Sequence, residues 1–149
     1  VVLTEGTRAI RTTTYHALAL HGPHIGAAAL SVRASGGERL PDGSPAVTAT
    51  ASRNAGGYAV TLLNRHLSRP AFVRLPFPEL SIGRAHLLTA DQPNAQNTFG
   101  EPDRVCPVPL EVGRERDDTW SVHLPPHALA TVVWGGGTSD PASGSSAES

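Results

Sequence analysis

Short apolar runs separated by turn-forming residues organise most of this chain. Runs of strand length lie at Ala28 to Arg33, Ala46 to Ser52, Gly57 to Asn64, Ala71 to Phe77, Arg84 to Thr89, Val108 to Val112, Trp120 to Leu124 and Leu129 to Trp134. Turn chemistry sits between them at Gly36-Gly37, Pro41-Asp42-Gly43, Asn54-Ala55-Gly56-Gly57 and Asp117-Asp118, where Gly supplies positive φ and Asp and Asn bond the local backbone. In Val47-Thr48-Ala49-Thr50-Ala51 the valine and alanines share one face and the threonines the other, the period-two pattern of a half-buried antiparallel strand. Leu129-Ala130-Thr131-Val132-Val133-Trp134 is apolar nearly throughout and is expected to be central. This pattern predicts an all-β sandwich or barrel.

One segment departs from the β rhythm. Thr12 to His21 combines N-capping threonines with helix-favouring Ala and Leu, and Gly22-Pro23 stops it. A single short helix is expected there. At the other end, 135–149 contains Gly, Ser, Ala, Thr, Pro and acids without a large apolar residue, the composition of a disordered tail.

Composition narrows the function classes. The chain has 149 residues, 39% of them hydrophobic, and a formal net charge of -1, as expected of one ordinary domain. All 12 basic residues are arginine, scattered from Arg8 to Arg116, so neither a phosphate-tracking stripe nor a P-loop lysine is present. No nucleic-acid partner is expected. No apolar run reaches membrane-span length and no basic-then-apolar leader is visible. Cys106 is the single cysteine, which rules out an intramolecular disulfide and leaves the compartment open.

The most informative stretch is Asn94-Ala95-Gln96-Asn97-Thr98-Phe99-Gly100-Glu101-Pro102-Asp103-Arg104-Val105-Cys106-Pro107, a run of turn-forming residues between two strands. Preceded by Leu88-Thr89, it resembles a Leu-Thr…Ala-x-Asn-Thr-Phe-x-x-Pro-x-x-Val-x-Pro motif of the C-terminal domain of family 51 glycoside hydrolases, the α-L-arabinofuranosidases. Three further segments agree in order. Thr12 to Ala17 is similar to the Thr-Pro-Thr-Tyr-His-Val segment that closes the family's catalytic barrel, with Thr13 in place of the proline. Gly57 to Asn64 resembles a Leu-x-Leu-x-Leu-Val-Asn strand, and Leu124 to Leu129 the Leu-Pro-Pro-x-Ser-Val lead into the last strand.

The resemblance implies a jelly-roll-like antiparallel β-sandwich preceded by one short helix that closes a catalytic (β/α)8 barrel. On that basis 1–26 is the end of the barrel (strand end, helix and linker), 27–134 the C-terminal β-sandwich and 135–149 the tail. Val1 to Glu5 would be the end of a barrel strand, so that the chain starts inside the catalytic domain. Asn94, Asn97, Thr98, Phe99, Pro102, Val105 and Pro107 form the signature loop, with a structural role. Retaining glycosidases use two carboxyls roughly 5 Å apart. The family's acid/base lies in an Asn-Glu pair that this chain does not contain, which places both catalytic glutamates outside it. The implied parent is a retaining α-L-arabinofuranosidase acting on arabinan, arabinoxylan or their oligosaccharides. Its partners would be the barrel of the same enzyme, further copies in a homo-oligomer, and the glycan substrate, without a cofactor. Its compartment leans towards the cytoplasm. Family sandwiches also commonly borrow a strand from the enzyme's N-terminus, without which a sheet edge would be exposed and aggregation-prone.

Other chemistry-bearing residues have plainer readings. Asp117-Asp118 reads as a turn former, because adjacent strand positions point to opposite faces. Glu101 and Asp103, separated by Pro102, read as loop stabilisers, and the side chains of Asn97 and Thr98 are suited to bond loop backbone. His21-x-x-His24, with His16 one turn earlier, has spacing that zinc uses, but no acid or thiol lies nearby in sequence to complete the set. A helix-to-strand junction with partly buried histidines is expected instead. Cys106 reads as a small buried hydrophobe. A free-standing carbohydrate-binding module, or a structural or oligomer-forming sandwich, is the alternative class. Only 5% of residues are aromatic, and Trp134 is expected in the core. That leaves Trp120, whose strand is more polar, as the candidate sugar contact.

Overall fold

The computed structural model describes residues 1–77 and 81–135; the expected tail at 136–149 lies outside the described residues. Eleven strands, one helix and one 3-10 turn follow in order: β1 (Val2–Glu5), β2 (Arg8–Arg11), α1 (Thr13–Leu20), the 3-10 turn Gly22–His24, β3 (Ala28–Leu30), β4 (Val47–Asn54), β5 (Gly57–Asn64), β6 (Ala71–Leu75), β7 (Ile82–Leu88), β8 (Val108–Pro109), β9 (Val112–Arg114), β10 (Trp120–Leu124) and β11 (Leu129–Trp134). A six-stranded antiparallel sheet in the order β3-β4-β5-β11-β7-β8 faces a three-stranded sheet in the order β6-β10-β9. The expected all-β sandwich with one short helix is therefore the observed architecture.

Alternation places the core. Leu62, Val60, Ala51, Ala130, Val132 and Trp134 of the large sheet meet Leu75, Val122 and Leu124 of the small one in a single buried cluster. Trp134 is fully buried and its ring lies 4.8 Å from that of Phe77. The period-two reading of Val47 to Ala51 holds, with the threonines exposed. β11 pairs with β5 on one side and β7 on the other, so it is central, and both of its faces are apolar because the small sheet covers one and α1 with the signature loop the other.

The opposite face of the large sheet carries a second, smaller cluster. Leu20 of α1, Leu88, Leu129 and Val105 of the signature loop pack together there. α1 is capped at its start by Thr12, whose hydroxyl accepts from the Tyr15 N–H at 3.2 Å. Its end is fixed by His21, whose backbone N–H reaches the Leu18 carbonyl at 3.1 Å.

Apart from shifts of one or two residues at strand ends, three elements differ from the sequence pattern. The run Ala28 to Arg33 is a strand only to Leu30, because β3 finds partners only along Ala51 to Arg53 of β4. The run Val108 to Val112 is two strands: β8 pairs with β7 and β9 with β10, so the chain changes sheets across Leu110-Glu111. Pro109 lacks the N–H needed to continue a ladder, which suits this corner. Finally, Val2–Glu5, within the segment that the resemblance makes the end of a barrel strand, pairs antiparallel with Arg8–Arg11 in a hairpin turned at Gly6, whose φ is 58°. Only Ile10 of that hairpin is buried, so no apolar alternation announces its second strand.

Candidate functional site

The signature loop leaves β7, crosses the outer face of the large sheet beside α1, and returns at β8. Asn97 holds it. This side chain is 4% exposed. Its Nδ2 donates to the Arg11 carbonyl and the Val105 carbonyl, each at 2.9 Å, and its Oδ1 accepts from the Val105 N–H at 2.7 Å. An amide is the only neutral side chain that offers two donors and an acceptor from one planar group, which this arrangement requires. Thr98 closes the next turn: its backbone and that of Glu101 exchange hydrogen bonds, and its hydroxyl accepts from the Glu101 N–H at 3.1 Å. Phe99 supports the Arg8 guanidinium, 5.0 Å from its ring centroid, and its carbonyl accepts from the same group. Val105 is buried among Leu20, Leu88 and Leu129, while Pro107 is half-buried and Asn94 and Pro102 are exposed. Arg104 lies 3.5 Å from Asp91, just before the loop, and 3.9 Å from Glu101 within it.

Beside the loop, the half-buried His24 joins a polar ladder, while His21 is exposed. His24 Nδ1 lies 2.6 Å from Ser52 Oγ and its Nε2 2.8 Å from Thr61 Oγ1. Thr61 Oγ1 is 3.0 Å from Thr131 Oγ1, which donates to the Leu20 carbonyl at 3.0 Å. Burial, and then the neighbouring His21, hold the His24 imidazole below its ordinary range. His16 is lowered too, by burial first and the Arg11 charge second, partly opposed by Asp103. Both nitrogens of His24 are occupied by hydroxyls, and His21 Nδ1 sits 2.9 Å from the Ala17 carbonyl. No group of three or more His, Cys, Asp or Glu side chains able to hold a metal occurs among the described residues.

The remaining candidates take structural positions. Asp117 accepts from the Thr119 hydroxyl at 2.7 Å and is held below the usual carboxylate range by that bond. Asp118 adopts φ 63° in the same turn and bonds Arg114 at 3.1 Å. Both side chains thus take part in the turn. Trp120 is half-buried, donates its indole N–H to the Phe77 carbonyl at 2.9 Å, and lies under the Arg114 guanidinium at 4.9 Å.

Two anchors were not assigned from sequence. Asn64, fully buried at the end of β5, donates to the Arg69 and Pro125 carbonyls at 2.9 Å each and accepts from the His66 N–H at 3.0 Å. The Ser52–His24–Thr61–Thr131 ladder was the other. Its signal was present as hydroxyl residues interrupting otherwise apolar strands on a common face.

A model of the alpha-L-arabinofuranosidase C-terminal domain matches residues 1–128. The chain belongs to that family. Among solved structures, it resembles a GH51 arabinofuranosidase from Xanthomonas axonopodis pv. citri, with 29% identity and a TM-score of 0.78 over 89% of this chain and 28% of that one. A family 51 alpha-L-arabinofuranosidase from Bifidobacterium longum is similar at 25% identity, with a TM-score of 0.75 over 91% of this chain and 28% of that one. The fold is shared with an alpha-L-arabinofuranosidase from Thermotoga maritima at 15% identity and a TM-score of 0.68, over 89% of this chain and 30% of that one. No match emerges among curated protein sequences. The chain thus spans under a third of the length of these arabinofuranosidases. As an arabinofuranosidase C-terminal domain it has the expected fold, and its signature loop is a structural tie between N-terminal layer and sandwich. No helix among the described residues is long and apolar enough to cross a membrane.

Proposed function

We propose that this domain is the accessory β-sandwich of a retaining α-L-arabinofuranosidase that acts on arabinan, arabinoxylan or their oligosaccharides, with both catalytic glutamates outside the chain. The observation that carries this reading is the family match across residues 1–128. The site geometry supports it, because Glu101, Asp117 and Asp118 are paired with arginines or a hydroxyl. The domain supports the reaction by covering one flank of the barrel. The N-terminal layer suits that role: Val2, Leu3, Leu18 and Ile25 leave large apolar side chains exposed there, Ile25 at 83%. A homo-oligomeric parent belongs to the same reading. We place it in the cytoplasm, in keeping with the unpaired thiol of Cys106.

The test is an assay of the purified chain on an aryl α-L-arabinofuranoside, with the upstream coding DNA read in the same frame. The expected results are no hydrolysis and an open frame containing an Asn-Glu strand end. Hydrolysis that survives repurification would overturn the assignment of catalysis elsewhere. A stop codon directly before Val1 would make the domain a free-standing module.

A further inference from the structure

The outer face of the three-stranded sheet carries a group of side chains that the fold does not need. Within β10, Trp120, Val122 and Leu124 point into the core, so Ser121 and His123 point out. The antiparallel register sets His123 opposite Phe72 of β6, and Ser121 between Arg74 of β6 and Gly113 of β9. Phe72 is 80% exposed, and its ring centroid lies 4.7 Å from that of His123 with the planes inclined at 45°. One row is therefore a two-ring platform and the next, about 7 Å away along the strands, a row of hydrogen-bonding groups.

The surroundings make this a cleft rather than a bare face. The connection from β8 to β9, at Pro109, Leu110 and Glu111, forms a wall, and Glu115 lies at the rim of a cleft of about 570 Å³. Gly113 keeps its floor open. A Cβ at that position would come within 2.6 Å of Ser121 Oγ, so any side chain there would cover the hydroxyl.

We propose that this cleft is a glycan-binding subsite, in which the Phe72–His123 pair packs against the C–H face of a sugar while Arg74 and Ser121 hydrogen-bond its hydroxyls. The chemistry selects that ligand class. Aromatic faces paired with a few placed polar groups suit a ligand that is apolar on its face and polar at its edge. The charges are mixed: Arg74 is 3.8 Å from Asp117, and Glu111 and Glu115 line the cleft, so a phosphate polymer finds no basic track. A protein partner would need about 800 Å² of contact surface with an apolar centre, whereas the platform is two rings in a polar face. The choice of a pentose-rich glycan rests on the proposed arabinofuranosidase parent; the platform itself does not.

Affinity electrophoresis of the full chain through gels containing arabinan, arabinoxylan or a mixed-linkage β-glucan tests it. Retardation by a pentosan is expected, weakened at least tenfold by Phe72→Ala or Arg74→Ala. Phe72→Trp should keep it, as should the control Ile25→Ser on the opposite layer. Retardation by β-glucan alone would uphold the subsite and count against the arabinosyl parent. Absence of retardation by all three polymers, or equal retardation of Phe72→Ala and the unaltered chain, would overturn the proposal. So would a fall in sedimentation coefficient on Phe72→Ala without any change in mobility, because the platform would then be a contact between copies. Should Phe72→Ala fail to fold, Arg74→Ala and Phe72→Trp decide the matter.

Discussion

The two faces of the six-stranded sheet solve the same problem with different chemistry. The inner face is covered by the three-stranded sheet through aliphatic and aromatic contacts, with Trp134, Leu62 and Val132 buried. The outer face is covered by α1 and the signature loop, through a few aliphatic residues plus the Asn97 bonds and the His24–Thr61–Thr131 ladder. Apolar packing is non-directional and tolerates repacking, while hydrogen-bonded amides and hydroxyls accept one geometry. The inner face thus supplies most of the stabilisation. The outer face fixes where a helix and a loop without strand partners must sit.

The sharpest test of that contrast removes the inner core's largest side chain. Trp134→Ala is expected to cost about 3–5 kcal/mol, read as a lowered urea midpoint at constant m-value, and to leave little folded protein. Asn97→Ala should cost about 2–3 kcal/mol, because the Val105 N–H and two carbonyls lose their partner; hydrogen exchange should rise first between residues 94 and 107. A loss spread evenly over the sandwich would break the comparison. Thr131→Val, close to isosteric, removes the bond to the Leu20 carbonyl and is expected to cost about 1 kcal/mol, with faster exchange in α1 and unchanged exchange in β10.

The smallest effect is in pH. His16 and His24 have imidazoles lowered by burial, so the unfolded chain binds protons that the folded chain refuses. The sign follows from linkage: stability is full above the ordinary imidazole value of about 6.5 and declines as pH falls below it. The melting temperature is expected to drop between pH 7.5 and pH 5.5, and the drop should shrink in His24→Gln. An unchanged slope in that variant would remove His24 from the account.

The inner face was legible in the sequence because alternation is a direct image of the pleat: Val47 to Ala51 and Leu129 to Trp134 declared their faces and their places. α1 was legible through Thr12 and Gly22-Pro23, and Asn97 through the company it keeps in a turn-rich stretch. The hairpin of β1 and β2 was not, since a pair of strands with one buried residue carries no alternation. The partners of His24 were hidden for another reason. Ser52 and Thr61 lie far away in the chain, and only the strand register brings them under the 3-10 turn. Phe72 and His123 escaped notice likewise, as cross-strand neighbours from separate segments.

The bond from Asn97 to the Arg11 carbonyl has a mechanical side. It ties the strand that enters α1 to a loop rooted in the sandwich, between β7 and β8. The boundary expected at residue 26 is therefore spanned by a side-chain bond as well as by the chain itself.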